Sequence, residues 1–132
     1  MQSKEIIIKT TDYNTLKSLI ANIPSYQRTK EVEQLSKEIE QGKLVTDSEI
    51  EDDVIQLNSQ FEIEECSTKK HYSFTLTLPA LANINEKKLS ILTPLGVALI
   101  GFRKGMNIEW QLPGGLRKMN ILKVTQNQMS NQ

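Results

Sequence analysis

The stretch Lys88-Leu-Ser-Ile-Leu-Thr-Pro-Leu-Gly-Val-Ala-Leu-Ile-Gly-Phe-Arg-Lys-Gly-Met-Asn-Ile-Glu-Trp-Gln-Leu-Pro-Gly-Gly115 decides the fold. Leu89, Ile91 and Leu92 form a short apolar run that reads as a strand entering a core. Thr93 then offers an N-cap hydroxyl, and Pro94 takes the first helical position, where its missing N–H costs nothing. Leu95, Ala98, Leu99 and Phe102 follow at helical spacing, and Gly101 is placed to stop the helix. Arg103-Lys104-Gly105 is a turn. Ile108, Trp110 and Leu112 alternate with Asn107, Glu109 and Gln111, the period of a half-buried strand, and Pro113-Gly114-Gly115 closes it with a second turn.

Working back toward the N-terminus, Tyr72, Phe74, Leu76 and Leu78 alternate with Ser73, Thr75 and Thr77 until Pro79 ends the strand. Ile55, Leu57, Phe61 and Ile63 fall on one face of an earlier strand, with Ser59 as a gap, and Ser67-Thr68-Lys69-Lys70 turns it into the next as an antiparallel hairpin. Pro79–Lys87 is a connection without a strong period. Leu116–Val124 gives a last strand whose inward face is either Met119, Ile121 and Lys123 or Leu122 and Val124. Residues 125–132 are polar and expected to fray.

The first third is helical. Ile6-Ile7-Ile8 is a brief strand or an apolar lead-in. Thr11 or Asp12 is placed to cap a helix carrying Leu16, Leu19, Ile20 and Ile23, which Asn22-Ile23-Pro24-Ser25 breaks. A second helix, from about Gln27 to Gln41, carries Val32, Leu35 and Ile39 on one face, with Gly42 as its stop. Two amphipathic helices with a short break predict an antiparallel hairpin. Thr46-Asp47-Ser48-Glu49 has the form of a capping box. The expected class is therefore α+β: a short antiparallel helical hairpin over residues 1–44, then a domain over residues 45–132 with an antiparallel sheet and one short helix.

Composition narrows the function. The 132 residues carry 16 Lys+Arg and 16 Asp+Glu, yet residues 1–66 hold 7 against 14 and residues 67–132 hold 9 against 2. Opposite signs either help the two halves lie together or give a docking surface a sign. With few aromatics and no strongly basic domain, sequence-specific nucleic-acid binding is not expected. The single cysteine, Cys66, allows no internal disulfide and fits a reducing cytosol. No apolar run reaches membrane-spanning length and residues 1–10 lack a signal-peptide core, so a cytoplasmic monomer is expected.

Candidate chemistry is thin. Cys66 and His71 flank a hairpin turn with no third group to orient the imidazole. Asp47, Glu49, Glu51, Asp52 and Asp53 lack the glycine and ligand pattern of a calcium loop and read as a solvated acidic turn. Gly96 and Gly101 lack phosphate-loop spacing. No catalytic, metal or cofactor site is expected.

The segment from Ser90-Ile-Leu-Thr-Pro-Leu-Gly to Leu112-Pro-Gly-Gly resembles the C-terminal domain of the Gre transcript-cleavage factors, and more closely their short Rnk-like members. Val45-Thr-Asp-Ser-Glu-Ile50 and Asp53-Val-Ile-Gln-Leu-Asn-Ser59 are similar to that family's linker and first strand. The resemblance implies an FKBP-like fold behind a coiled-coil arm, with RNA polymerase as partner. It implies docking through Leu92, Thr93 and Pro94, and an arm tip at Pro24, Tyr26, Gln27 and Arg28. Gre factors hold a second Mg²⁺ with carboxylates at the tip, whereas Asn22–Thr29 contains no Asp or Glu. The expectation is a non-catalytic regulator near the secondary channel that competes with Gre factors; the alternatives are a cleavage-stimulating elongation factor and an FKBP-like module with another partner. Prolyl isomerisation would need an aromatic cavity, for which Tyr72, Phe74, Phe102 and Trp110 are candidates, although their alternation marks them as core.

Overall fold

The computed structural model describes residues 6–112 and 114–126, without the side chains of 110–112. Pro113, the tail beyond Gln126 and the Trp110 side chain, on all of which expectations fell, lie outside the described residues. In chain order the elements are β1 (Ile7–Lys9), α1 (Thr10–Ala21), α2 (Lys30–Gln41), β2 (Lys43–Val45), β3 (Gln60–Glu65), β4 (His71–Thr77), β5 (Lys88–Ser90), α3 (Pro94–Leu99), β6 (Asn107–Leu112) and β7 (Gly115–Thr125). Single 3₁₀ turns occupy Ser25–Gln27, Pro79–Leu81 and Ile84–Glu86. This is an α+β fold with three helices and a five-stranded sheet ordered β5-β4-β3-β7-β6, beside a two-stranded β1–β2 pair.

The opening stretch folds as its residues dictate. Thr93 Oγ1 accepts from the Gly96 N–H at 3.1 Å, Pro94 begins α3, and Gly101 follows it at φ +84°. Leu95, Val97 and Leu99 are buried. An added Cβ on Gly101 would lie 2.6 Å from Ile6 Cβ, so glycine serves here both the left-handed turn and the close passage of the chain before β1.

The sheet is mixed rather than antiparallel. β5 runs parallel to β4, pairing Thr75 with Lys88 and Thr77 with Ser90, because Pro79–Lys87 carries the chain back along the sheet edge. The remaining pairs, β3–β4, β3–β7 and β6–β7, are antiparallel. The ambiguity of the last strand has a physical cause. Phe61 pairs with Val124 and Ile63 with Ile121, so two steps on β3 match three on β7, and Leu122 is the extra residue of a bulge. Met119 and Ile121 face the core on one side of the bulge and Val124 packs against it on the other, so each proposed face is right for half of the strand.

Five local expectations change. The strand expected to carry Ile55 and Leu57 begins only at Gln60; both residues are buried in the loop before it, because a turn closed by the Ser59 N–H on Gln56 O, with Asn58 at φ +72°, interrupts the run. α1 begins at Thr10 without a side-chain cap; Thr11 reaches Asp47 and Asp12 is buried, its Oδ2 accepting from the Leu57 N–H at 3.1 Å. α2 begins at Lys30, capped by Thr29, because Ser25–Gln27 form a 3₁₀ turn. Gly42 does stop α2, as expected, but in an extended rather than left-handed conformation at φ −75°; its lack of a side chain lets Ile6 approach, since a Cβ would lie 2.8 Å from Ile6 Cγ1. Ser59 is no gap but wholly buried, its Oγ accepting from the Gln56 N–H and donating to Gln126 Oε1 at 2.7 Å.

The N-terminal third and the sheet share one core. Ile6, Ile8, Leu16, Ile20, Val32, Leu35 and Ile39 join Ile55, Phe61, Ile63, Leu76, Ile91, Leu99 and Ile121 in a single buried cluster. Each fully buried aliphatic is worth about 1.5–3 kcal/mol against exposure. Backbone bonds stitch the seam: Ile7 N–H to Gly101 O (3.0 Å), Gly101 N–H to Ile55 O (2.9 Å) and Ile55 N–H to Phe102 O (2.8 Å).

Candidate functional site

Two regions carry the sequence-predicted site residues. The first is the turn between α1 and α2. The helices are tied at both ends: Glu40 near the end of α2 meets Tyr13 and Lys17 on α1, with Lys17 Nζ at 2.6 Å, while Arg28 before α2 reaches back to the end of α1. The Lys17 hydrogen bond, supported by Tyr13, holds the Glu40 carboxyl below its ordinary value, and Glu40 holds Lys17 above its own.

At the turn itself, Pro24, Tyr26 and Gln27 are exposed, Tyr26 by 84%. Arg28 is spent differently. Its guanidinium donates from Nε to Ile23 O and from a terminal nitrogen to Ile20 O, both at 3.0 Å. It adds to the capping at and just past the end of α1, where Ile20 O also accepts from the Ile23 N–H at 3.0 Å and a cation is favoured by the helix dipole. The turn therefore presents a pinned, aromatic and charge-poor surface, and the nearest carboxylates, Glu31 and Glu33, lie in the first turn of α2.

The second region is the loop into α3. The Thr93 hydroxyl donates to Ser90 O at 2.7 Å while accepting from Gly96, and Ser90 Oγ accepts from the Leu92 N–H at 3.0 Å. Leu92 is half-buried against the core, Thr93 is half-buried and Pro94 is exposed. The loop is thus a preformed edge rather than a free strand of chain. The two regions belong to different ends of the chain's plan, and the structure does not bring Leu92–Pro94 together with Pro24–Arg28 in any bond.

The acidic segment is more occupied than a solvated turn. Asp47 accepts from the Thr11 N–H and hydroxyl, which hold its carboxyl below the ordinary value. Glu49 accepts from the Thr46 N–H at 3.1 Å, the reciprocal half of a capping box, with the same effect. Glu51 and Asp53 both pair with Arg103, Asp53 at 3.2 Å. Nothing in the spacing of these acids reveals an arginine fifty residues away. Likewise Glu65, buried at the end of β3, accepts from Arg117 at 2.5 Å and Thr68 at 2.9 Å, and Arg117 holds its carboxyl low. Acidic and basic halves of the chain do lie together through these pairs.

His71 meets Glu62 at 2.8 Å and Glu64 at 3.5 Å across the β3–β4 hairpin, on the exposed side, and Cys66 is not among its partners. Tyr72 is exposed, and Phe74 and Phe102 are half-buried against the core. Among the described residues no group of three His, Cys, Asp or Glu is placed to hold a metal ion, and no helix is long and apolar enough to cross a membrane.

A small mixed sheet over one short capped helix, with two further helices joined by a pinned turn and folded into the same core, defines the class as α+β. Comparison with known proteins makes the class specific: the family model described as "Transcription elongation factor, GreA/GreB, C-term" matches residues 50–126. The chain belongs to the GreA/GreB transcription elongation factor family. It is 30% identical over 116 residues to the "Regulator of nucleoside diphosphate kinase" of Escherichia coli K12, covering 88% of this chain and 85% of that one. It is 36% identical over 75 residues to the transcription elongation factor GreA of Syntrophus aciditrophicus, of which it spans 47%. Among solved structures, a GreA/GreB transcription elongation factor from Nitrosomonas europaea superposes with a TM-score of 0.77 at 30% identity, over 93% of this chain and 99% of that one. Thermus aquaticus Gfh1, at TM-score 0.52 and 17% identity, is similar in fold alone.

Proposed function

We propose that this chain is a non-catalytic Gre-family regulator that binds RNA polymerase near the secondary channel and competes there with Gre factors. The observation that carries the reading is the α1–α2 turn: Asn22–Thr29 holds no carboxylate, and its one cation is committed to the carbonyls of Ile20 and Ile23. Gre-type cleavage needs oxygen ligands for a hard divalent cation at that position, and neutral Tyr26 and Gln27 supply no charge for one. At about 1.5 Å per residue, α2 extends only some 18 Å.

In this reading residues 1–44 are the arm, a short helical hairpin, and residues 45–132 are an FKBP-like docking domain acting as a cytoplasmic monomer. The shared core and the Ile7–Gly101–Ile55 bonds support an arm held at a fixed angle to the domain. Leu92, Thr93 and Pro94, with Thr93 bonded on both sides, supply a preformed edge for the polymerase. A second reading, carried by the name of the Escherichia coli relative, makes a nucleoside diphosphate kinase the partner. The test is transcript cleavage in stalled elongation complexes. The chain alone is expected to leave the cleavage rate unchanged and, in excess, to suppress cleavage stimulated by a Gre factor. Stimulation by the chain itself would refute the non-catalytic reading, and no effect in either arm would favour the kinase.

A further inference from the structure

We propose that the open edge of β4 is a strand-addition site, and that its occupant is an extended protein segment carrying an apolar residue between two acidic ones. The segment adds a strand to the sheet along residues 71–73 and sets its acidic side chains against Lys70 and Lys87.

β5 leaves that edge uncovered. It pairs with β4 only from Thr75 opposite Lys88 to Thr77 opposite Ser90. Lys87 O accepts from the Thr75 N–H at 2.7 Å, but Lys87 sits at φ +61° and its own N–H goes to Ile84 O at 3.0 Å, which turns the chain aside. Thr75 N–H and Thr77 O thus bond on the β5 side, while Leu76 N–H bonds on the other side, to Ser59 O at 2.9 Å. The same alternation aims the N–H and C=O of His71 and Ser73 at the open edge. Among the described residues no bond takes any of these four groups. An edge with free ladder groups is a template for another strand.

One face of this edge is aromatic between two cations. Lys70 stands opposite Glu65, Tyr72 opposite Ile63 and Phe74 opposite Phe61, so the three share the core side of the sheet. Tyr72 leaves 37% of its surface in water, and Phe74, its ring centroid 6.2 Å from that of Phe61, is half-buried. Lys87 closes the row beyond Phe74, its Nζ 6.0 Å from the Phe74 centroid. A strand laid alongside covers the exposed parts of both rings with alternate side chains while its backbone takes the ladder bonds.

Charge selects the occupant. The nearby acids are already engaged: Glu86 with Lys88, Glu65 with Arg117, and Glu62 and Glu64 with His71 on the opposite face of the sheet. Among the described residues neither Lys70 nor Lys87 has an ion-pair partner. From Lys70 to Phe74 the strand advances about 3.4 Å per residue, so a five-residue segment spans the row. Cation, two aromatics and cation match acid, apolar and acid at every second position of an extended chain. A basic segment is repelled by the same row, and a nucleic acid has no peptide groups for the four ladder bonds.

The test titrates the isotope-labelled full chain with a blocked pentapeptide, Glu-Thr-Val-Thr-Glu, whose first, third and fifth side chains share a face. Saturable shifts of the His71 and Ser73 amide resonances are expected at about millimolar concentration, since a short free segment is ordered as it binds, with slowed hydrogen exchange at both. Lys-Thr-Val-Thr-Lys is expected to bind at least about fivefold more weakly. Ser73→Pro removes an outward N–H and no bond of the β3–β4 ladder, so it is expected to abolish binding at an unchanged melting temperature. Tyr72→Ser keeps every backbone group, decides the matter if proline disturbs the strand, and is expected to weaken binding about fivefold. No response at either amide up to about ten millimolar, or responses that map elsewhere, would overturn the site. Equal binding of the two peptides would overturn the occupant, and undiminished binding by Tyr72→Ser would overturn the aromatic face on which it rests.

Discussion

Replacing Gly101 by alanine tests whether the helical arm and the sheet are packed as one body. Two costs add at this position. Its φ of +84° is left-handed, which costs a residue with a Cβ about 1–2 kcal/mol. The new Cβ would also lie 2.6 Å from Ile6 Cβ and 3.1 Å from the Ile7 backbone, and relieving such overpacking costs about 1–3 kcal/mol. Gly105 supplies the control: its φ is +92°, but a Cβ there meets nothing within 4 Å, so only the conformational cost applies. Gly101→Ala is therefore expected to lose about 2–5 kcal/mol and Gly105→Ala about 1–2 kcal/mol. At about 3 °C per kcal/mol for a chain of this size, thermal melts followed by circular dichroism separate the two. Faster hydrogen exchange at Ile7 and Ile55, which share the seam, should accompany the first variant alone. Equal losses for both variants would refute the close-packed joint between β1 and the end of α3.

Asp12 is buried, and burial is the main cause that raises its carboxyl pKa, only partly offset by the Leu57 N–H. A raised acid favours the folded state below its unfolded value of 3.8 and loses that advantage as pH rises through the folded value. Asp12→Asn keeps an acceptor for Leu57 without a buried charge, so denaturant melts should show it more stable than wild type at pH 7, with the gap closing below pH 3.8; Asp12→Ala, which leaves that buried N–H unpaired, should lose about 1–3 kcal/mol. Arg117→Met removes the cation that holds the Glu65 carboxyl low. Since a depressed carboxyl stabilises above its ordinary value of 4.5 and loses that stabilisation as pH falls, the variant's deficit in melting temperature should be largest near pH 7 and shrink below pH 4.5.

What the sequence reveals divides by range of interaction. The cap at Thr93, the proline start of α3, the stripe Val32-Leu35-Ile39 and the alternation of β6 are local, and each is legible because spacing alone carries it. β1 and β2 are three-residue strands whose pairing spans both helices, and β5 is three residues held parallel to β4 by a nonperiodic connection. Such short strands have too few residues to show a period. The bulge at Leu122 defeats alternation outright, because it changes parity within one strand. At the candidate site, the exposure of Pro24, Tyr26 and Gln27 follows from a polar break, but the commitment of Arg28 to Ile20 and Ile23 depends on how the turn closes. Asp12 has the type and place of an N-cap and is instead drawn inward to Leu57, forty-five residues on, a partner no window around α1 contains.

Everything proposed for this chain depends on its partner. Its most direct test is binding of the full chain to core RNA polymerase, with a Gre factor titrated in as competitor. Saturable binding at about micromolar concentration or tighter is expected, displaced fully by the competitor. No binding at tens of micromolar, or binding that the Gre factor leaves untouched, would contradict it.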